Sequence, residues 1–304
     1  MKNRLASLDL RTFVDTIYLP QKLRITGEKT RETYRLVVRQ LQETIGRTPR
    51  VRDLTNEVIC LMLRRLADSG LSLHTVQQRR NYVVALANWC SRRGVIDWWV
   101  SVERLRTPEV VPRAWTMAEL GKLWGACADF PGKYAGVPAS AWWLAFHATC
   151  WDTAERTGAV LSILDGWVCL ENGVLSIPAQ ARKGGQQAAT YQLKPLTVQL
   201  LRPLVANAKT RPDGKVFATD QTVHTFYIHY GKLLKSAGLP TTRKFKPQRI
   251  RRTFATFLEI AGGDATEALK HSCRRVTKES YIDPTMHKAS PPNRLLPPID
   301  PDAA

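Results

Sequence analysis

Few side chains in this 304-residue chain are of types that could do covalent chemistry without a prosthetic group. There are many arginines, one lysine in the turn Lys183-Gly184-Gly185, and a histidine and a tyrosine close to the C-terminal end, His271 and Tyr281. Arginine stays protonated, and its planar fork can grip a phosphate through two oxygens. A lysine can deliver a proton, and an imidazole can give or take one. A tyrosine hydroxyl has a free pKa of about 10, so it attacks only where cations or a base assist its ionisation. Breaking a phosphodiester without a metal needs another source of positive charge for the pentacovalent transition state, and arginines can supply it. Each residue alone also has a plainer reading: a packing tyrosine, a helix-end charge, a solvated turn lysine, a capping histidine. A GxxxxGK[ST] phosphate loop and paired His or Cys spacings do not occur.

The elements that must position these groups are predominantly helical. Residues 29–45 place Tyr34, Val37, Val38, Leu41 and Ile45 on one stripe, with Arg31, Arg35 and Arg39 on another face. Asp53 and Thr55 stand where an N-cap would precede the apolar run 57–67, and residues 74–93 continue with Val76, Tyr82, Val83, Leu86 and Trp89. The pattern predicts a compact four-helix domain over 1–105 with arginine-rich faces, although any single arginine there also reads as ordinary solvated surface. The stretch 101–115 has two prolines and no helical period, and the linker is placed at 106–115. Thr116 with Glu119 forms a capping box that opens a second domain, 116–283, with helices near 117–128 and 139–150.

From residue 165 the period changes. WVCLENGVLSI reads as a hairpin around Glu171-Asn172-Gly173, and the Lys183 turn separates LSIPAQ from AATYQL, so three short antiparallel strands are expected. Helices follow near 197–206, 222–237, 248–261, 264–270 and 275–282, then a proline-rich tail over 284–304 that reads as extended. The fold class is therefore mainly α with a small antiparallel β-sheet (α+β).

Composition narrows the partners. Hydrophobic residues make up 44% and charged residues 23%, enough to bury a core, and the net charge is +19. A folded chain this basic suits a polyanion, because each neutralised phosphate releases condensed counterions. The excess is spread along the chain, with 20 Lys+Arg against 11 Asp+Glu in residues 1–112 and 25 against 15 in the rest. Both parts are expected to touch the polyanion. Six scattered cysteines without CxxC pairs read as reduced, mostly buried thiols. No stretch approaches the roughly 18 apolar residues of a membrane span, and no apolar leader is seen, so the expected location is cytoplasmic, on the nucleoid.

The surroundings of the candidate residues make them specific. TAERTGAVLSIL at 153–164 resembles the "TGLRxSELLxL" segment of tyrosine recombinases of the phage integrase type, which carries their first active-site arginine. QRIRRTFAT at 248–256 resembles "HxLRHTFAT", ALKHS at 268–272 resembles "LGHSS", and VTKESYID at 276–283 resembles the "TTxxYxH" segment. The resemblance covers about 113–283 by motif, and the preceding helices are similar to the family's core-binding domain. It implies a catalytic set of Arg156, Lys183, Gln248, Arg251, His271 and Tyr281, with Tyr281 the nucleophile, Lys183 donating to the leaving 5′-oxygen and His271 donating to the phosphate. It further implies cleavage through a 3′-phosphotyrosine without metal or cofactor, double-stranded DNA as partner, a tetramer on synapsed sites, and accessory DNA-bending proteins.

The sequence departs from the family pattern in several places. Gln248 stands where histidine is usual, Ala159 where an acidic residue is common, Lys270 where glycine precedes the histidine, and Asp283 where a second histidine follows the tyrosine. Gln248 and Ala159 favour an alternative reading, a catalytically silent DNA-binding protein on the same fold. A type IB topoisomerase or a telomere resolvase would share the chemistry, but a compact helical domain ahead of the catalytic one suits an integrase better. The charge alone generates a prediction. DNA affinity should fall with salt at a log–log slope of about −0.9 per phosphate contact, and a fragment beginning near Ala114 should show a shallower slope than the full chain. Equal slopes in a filter-binding titration would refute contact by both parts.

Overall fold

The structure is a computed structural model that describes residues 2–22, 27–185, 187–219, 222–242 and 245–286. The expected extended tail lies outside the described residues from 287 onward. The chain divides into two compact units, Met1–Glu109 and Val110–Ala304.

The first unit is all helical. After α1 (Lys2–Ala6), α2 (Leu10–Phe13) is capped by Asp9, whose side chain accepts the Thr12 N–H at 2.7 Å, and runs on as a π-turn over Val14–Tyr18. The long helices are α3 (Glu28–Ile45), α4 (Asn56–Asp68) and α5 (Leu73–Arg92). α3 stops at Gly46, whose φ of 71° only glycine adopts without strain. Thr55 caps α4 as its position foretold, accepting the Val58 N–H. The predicted stripe is the buried one, with Tyr34, Val37, Val38 and Leu41 packed on Phe13, Met62, Val83 and Leu86. Val95, Ile96, Val100 and Val102 close the same core.

Several of the arginines on these helices are structural. Arg35 bridges Asp15 and Glu28, Arg80 donates to the Val102 carbonyl, and Arg93 lies over the Trp89 ring. Arg39, Arg64 and Arg65 are exposed.

In the second unit the Thr116–Glu119 capping box opens α6 (Met117–Ala128) as the sequence predicts. A two-residue ribbon, β1 (Lys133–Tyr134) and β2 (Val137–Pro138), turns through Ala135 and Gly136, both with positive φ. Alanine there hides the turn from a reading that looks for Asn-Gly or Asp-Gly. α7 (Ala139–Thr153) is apolar all round and buried on most faces, stacking Trp142, Trp143 and Phe146 against Phe217, Phe226 and Tyr230. α8 (Thr157–Leu161) has only five residues, too few to show a period.

The three predicted strands follow as β3 (Val168–Cys169), β4 (Val174–Ile177) and β5 (Ala189–Gln192), an antiparallel sheet in the order β3-β4-β5. Leu175 pairs with Tyr191 and both point inward, whereas Ser176 and Thr190 face solvent and hydrogen-bond to each other. The remaining helices are α9 (Pro195–Lys209), α10 (Val223–Ser236), α11 (Gln248–Ile260), α12 (Ala265–Ala268) and α13 (Arg274–Tyr281).

Two expectations need correction. The helix predicted over 264–270 is a single turn, because Asp264 is its cap and Lys270 swings to a φ of 53°, which takes the chain out of the helix. The cysteines are not mostly buried: Cys90, Cys127 and Cys150 are, but Cys60 on α4 and Cys273 just before α13 are exposed, and all six are free thiols. No helix among the described residues is long and apolar enough to cross a membrane.

Candidate active site

The site is assembled around Arg251, on the first turns of α11 and 2% exposed. Its Nη1 donates to the Ala154 carbonyl at 2.5 Å and its Nη2 to the Leu269 carbonyl at 2.9 Å, with His271 Nε2 a further 3.1 Å contact of Nη2. Ala154 closes α7 with a φ of 49°, and Leu269 caps α12. Both carbonyls belong to helix ends, where backbone acceptors lack an intrahelical partner. A buried cation satisfies them, and two of its three nitrogens are bonded in return.

His271 follows directly, its N–H bonded to the Thr266 carbonyl and its Nδ1 2.9 Å from the Thr277 hydroxyl. With Nε2 accepting from Arg251, the consistent tautomer carries its proton on Nδ1 and donates it to Thr277. Burial, then the Arg251 and Arg156 charges, hold the imidazole at about 4 instead of its ordinary value. It is therefore neutral near pH 7. The sequence expectation of a histidine donating to phosphate meets a histidine whose Nε2 is an acceptor. On its other side lies the Tyr281 ring, with centroids 4.5 Å apart, and that ring also sits 5.5 Å from the Arg251 guanidinium.

In front of His271 opens a polar cavity of about 360 Å³ lined by Arg156, Lys183, Lys270, Thr266 and Ser272 among others. Arg156 lies just before α8, partly buried, and no hydrogen bond or ion pair of its side chain occurs among the described residues. Lys183 is exposed on the β4–β5 connection. Its neighbour Arg182 is buried instead, in a pair with Glu155. Burial raises the Glu155 carboxyl, but the Tyr191 hydroxyl and the Arg182 charge outweigh it and leave the group below the usual carboxylate range.

Gln248 is not among the residues lining this cavity. It starts α11 one turn before Arg251 and is partly buried. The next residue, Arg249, is buried between the Trp115 and Phe245 rings and donates to the Ala114 carbonyl.

Sequence reasoning missed Glu155, Arg182, Lys270, Thr277 and Asp283. Lys270 adds a cation to the cavity from a left-handed backbone, which is the conformation that makes glycine usual there. Asp283 is 2% exposed and anchors the end of α13: its Oδ2 accepts the Ala114 N–H at 2.8 Å, and its own N–H donates to the Thr256 hydroxyl. Glu155 stands in the polar stretch WDTAERTG, where nothing local marks a buried carboxylate. Among the described residues, no cluster of His, Cys, Asp or Glu is placed to hold a metal ion.

This architecture is that of the tyrosine recombinases, whose fold the chain shares. The integrase of the Tn1549 transposon, solved in complex with transposon right end DNA, superposes with a TM-score of 0.68 at 14% identity over 95% of this chain and 97% of that one. A lambda integrase dimer bound to a COC′ core site gives 0.67 at 16% identity, covering 91% and 96%. XerH site-specific recombinase bound to palindromic difH substrate gives 0.66 at 19%, covering 90% and 80%. At such identities the likeness is one of fold. No family model matches the sequence, and no curated protein matches it.

The contrast between the two arginines predicts different costs. Arg251→Ala strips two buried carbonyls of their donor and should destabilise the fold by about 3 kcal/mol or more, whereas Arg156→Ala should stay within about 0.5 kcal/mol of the parent in urea unfolding. Equal losses would show that Arg156 is also a framework residue. The histidines predict the pH dependence. His271 and the buried His147 both titrate at about 4 in the folded chain, below the unfolded value near 6.5. The unfolded chain thus binds more protons between these values, and stability should fall as pH drops from about 6.5 toward 4. A urea midpoint unchanged between pH 7.5 and pH 5 would contradict the neutral-imidazole assignment.

Proposed function

We propose that this chain is a DNA strand-exchange enzyme that cleaves and rejoins DNA through a 3′-phosphotyrosine on Tyr281. The observation that carries this reading is convergence. The Arg156 guanidinium, Lys183, Lys270 and a neutral His271 open onto one cavity, and the Tyr281 ring lies against His271.

In this reading the scissile phosphate enters the cavity and Arg156 takes its non-bridging oxygens. The Tyr281 hydroxyl attacks phosphorus, and the bond to the 5′-oxygen breaks as the bond to tyrosine forms. The phenolic proton passes to His271 Nε2, which gives up its hydrogen bond from Arg251 Nη2 to take it. The 5′-oxygen takes a proton from the Lys183 ammonium and leaves as a hydroxyl. The phosphotyrosine conserves the bond energy, so rejoining runs the same steps backwards without ATP. Arg251 contributes positive charge from behind His271 and keeps that ring in place. Gln248 supplies at most a hydrogen bond, because an amide does not transfer protons at neutral pH. The partner is duplex DNA, and four protomers bring two sites together for reciprocal exchange.

One observation favours a second reading, DNA binding without cleavage: both Nη atoms of Arg251 are already engaged by backbone carbonyls, and its buried Nε has no partner among the described residues. The two readings separate on a pool of nicked duplexes of randomised sequence, where cleavage next to the nick releases a short fragment and traps the adduct. The chain should form a covalent adduct on a denaturing gel, and sequencing the trapped strand should identify the preferred duplex. Tyr281→Phe keeps the ring and its packing, so binding on a native gel should persist while the adduct disappears. Undiminished adduct in Tyr281→Phe would overturn the nucleophile. Binding without adduct in the parent would establish the silent reading.

A further inference from the structure

Glu155 lies one residue before Arg156, in the connection between α7 and α8, and is 3% exposed. Its Oε1 accepts hydrogen bonds from Arg182 Nε and, at 2.6 Å, from the Tyr191 hydroxyl on β5, while Oε2 accepts the Arg156 N–H at 3.1 Å. Arg182 in turn donates through Nη1 to the Gln187 carbonyl at 3.0 Å, and its own carbonyl accepts the Gly185 N–H at 3.0 Å. The connection carrying Lys183 is therefore held at its base, from residue 182 to residue 187, by one guanidinium that is itself held by Glu155. Lys183 is exposed, and no hydrogen bond of its side chain occurs among the described residues, so this base sets where its ammonium can reach.

A buried ion pair is weak evidence for stability, because desolvating both charges offsets most of their attraction. What the pair supplies here is geometry. It links the backbone of Arg156 to the backbone of Lys183, two cationic residues that would otherwise repel across the cavity.

We propose that Glu155 is a positioning residue for proton delivery: by gripping Arg182 it fixes the turn that places Lys183 at the leaving 5′-oxygen. This rests on the reading of Lys183 as the proton donor, and the test separates the two.

The substrate is the nicked duplex recovered from the randomised pool, made in two forms, with oxygen or with sulfur as the 5′-bridging atom at the scissile position. A thiolate leaves without needing a proton, so a defect in proton delivery disappears on sulfur, whereas a defect in phosphate gripping or in folding persists on both. Lys183→Ala should lose about 100-fold or more on the oxygen form and recover on the sulfur form. Glu155→Gln, which keeps the shape but removes the charge, should lose about 10- to 100-fold on oxygen through misplacement of Lys183 and return to within about threefold of the parent on sulfur.

Equal losses on both forms would overturn the proposal and assign Glu155 to Arg156 or to the fold. An unchanged rate on oxygen would also overturn it. Should Glu155→Gln fail to fold by circular dichroism, Tyr191→Phe deletes one of the two donors to Oε1, and its smaller loss must show the same recovery on sulfur or the proposal fails. Failure of sulfur to rescue Lys183→Ala would defeat the proton-donor reading itself, and this inference with it.

Discussion

A guanidinium taken out of water keeps its charge, and the chain around it must therefore supply acceptors in the directions its five N–H groups point. Arg251 is in that position, and the second unit is shaped by the need. α7 ends at Ala154 in a left-handed residue, and α12 ends at Leu269 after a single turn. Each ending frees a carbonyl that Arg251 takes up. The negative ends of helices suit a cation, so the arrangement favours the charge as well as the carbonyls. The same guanidinium meets His271, and His271 meets both Thr277 midway along α13 and Tyr281 at its end. One buried charge thus orders the helix termini that bring four separate pieces of sequence to one place.

Electrostatics at the cavity follow from how few counter-charges are built in. Arg156, Lys183 and Lys270 line it with the exposed carboxylate of Glu267, Arg251 lies behind it, and Glu155 supplies a buried carboxylate committed to Arg182. Burial, then the Arg251 and Arg156 charges, lowers the proton affinity of His271, and the net positive lining leaves the cavity poised for an anion. The division of labour between adjacent cations is a matter of burial. Arg182 spends its donors on the framework and Lys183 keeps its own for solvent or a ligand, which fits the general difference between a rigid fork and a flexible point charge.

The departures from the recombinase pattern acquire physical content in the same way. A non-glycine residue at φ of 53° costs on the order of 1 kcal/mol, and at position 270 that cost comes with an added cation at the cavity rim. Asp283, in the place of a histidine, takes no part in the cavity. It fastens the end of α13 to Ala114 and to α11 through Thr256, with Arg113 3.7 Å from its carboxylate. Gln248 remains at the start of α11, away from the cavity lining.

Much of the fold was legible because its signals are local. The Thr116–Glu119 box, the Asn172-Gly173 turn, the stripe on α3 and the order of the candidate residues each lie within a few positions of one another, and short-range sterics and hydrogen bonding suffice to read them. The sequence by itself determined the longer helices and the three strands of the small sheet, and it nominated the residues for the site. Only the tertiary structure decided that Arg182 turns inward and Lys183 outward, that Arg251 reaches Ala154 across 97 positions, and that Asp283 holds Ala114 across 169. Such contacts are set by which helix ends meet and which charges are removed from water, and no window of neighbouring residues contains that information.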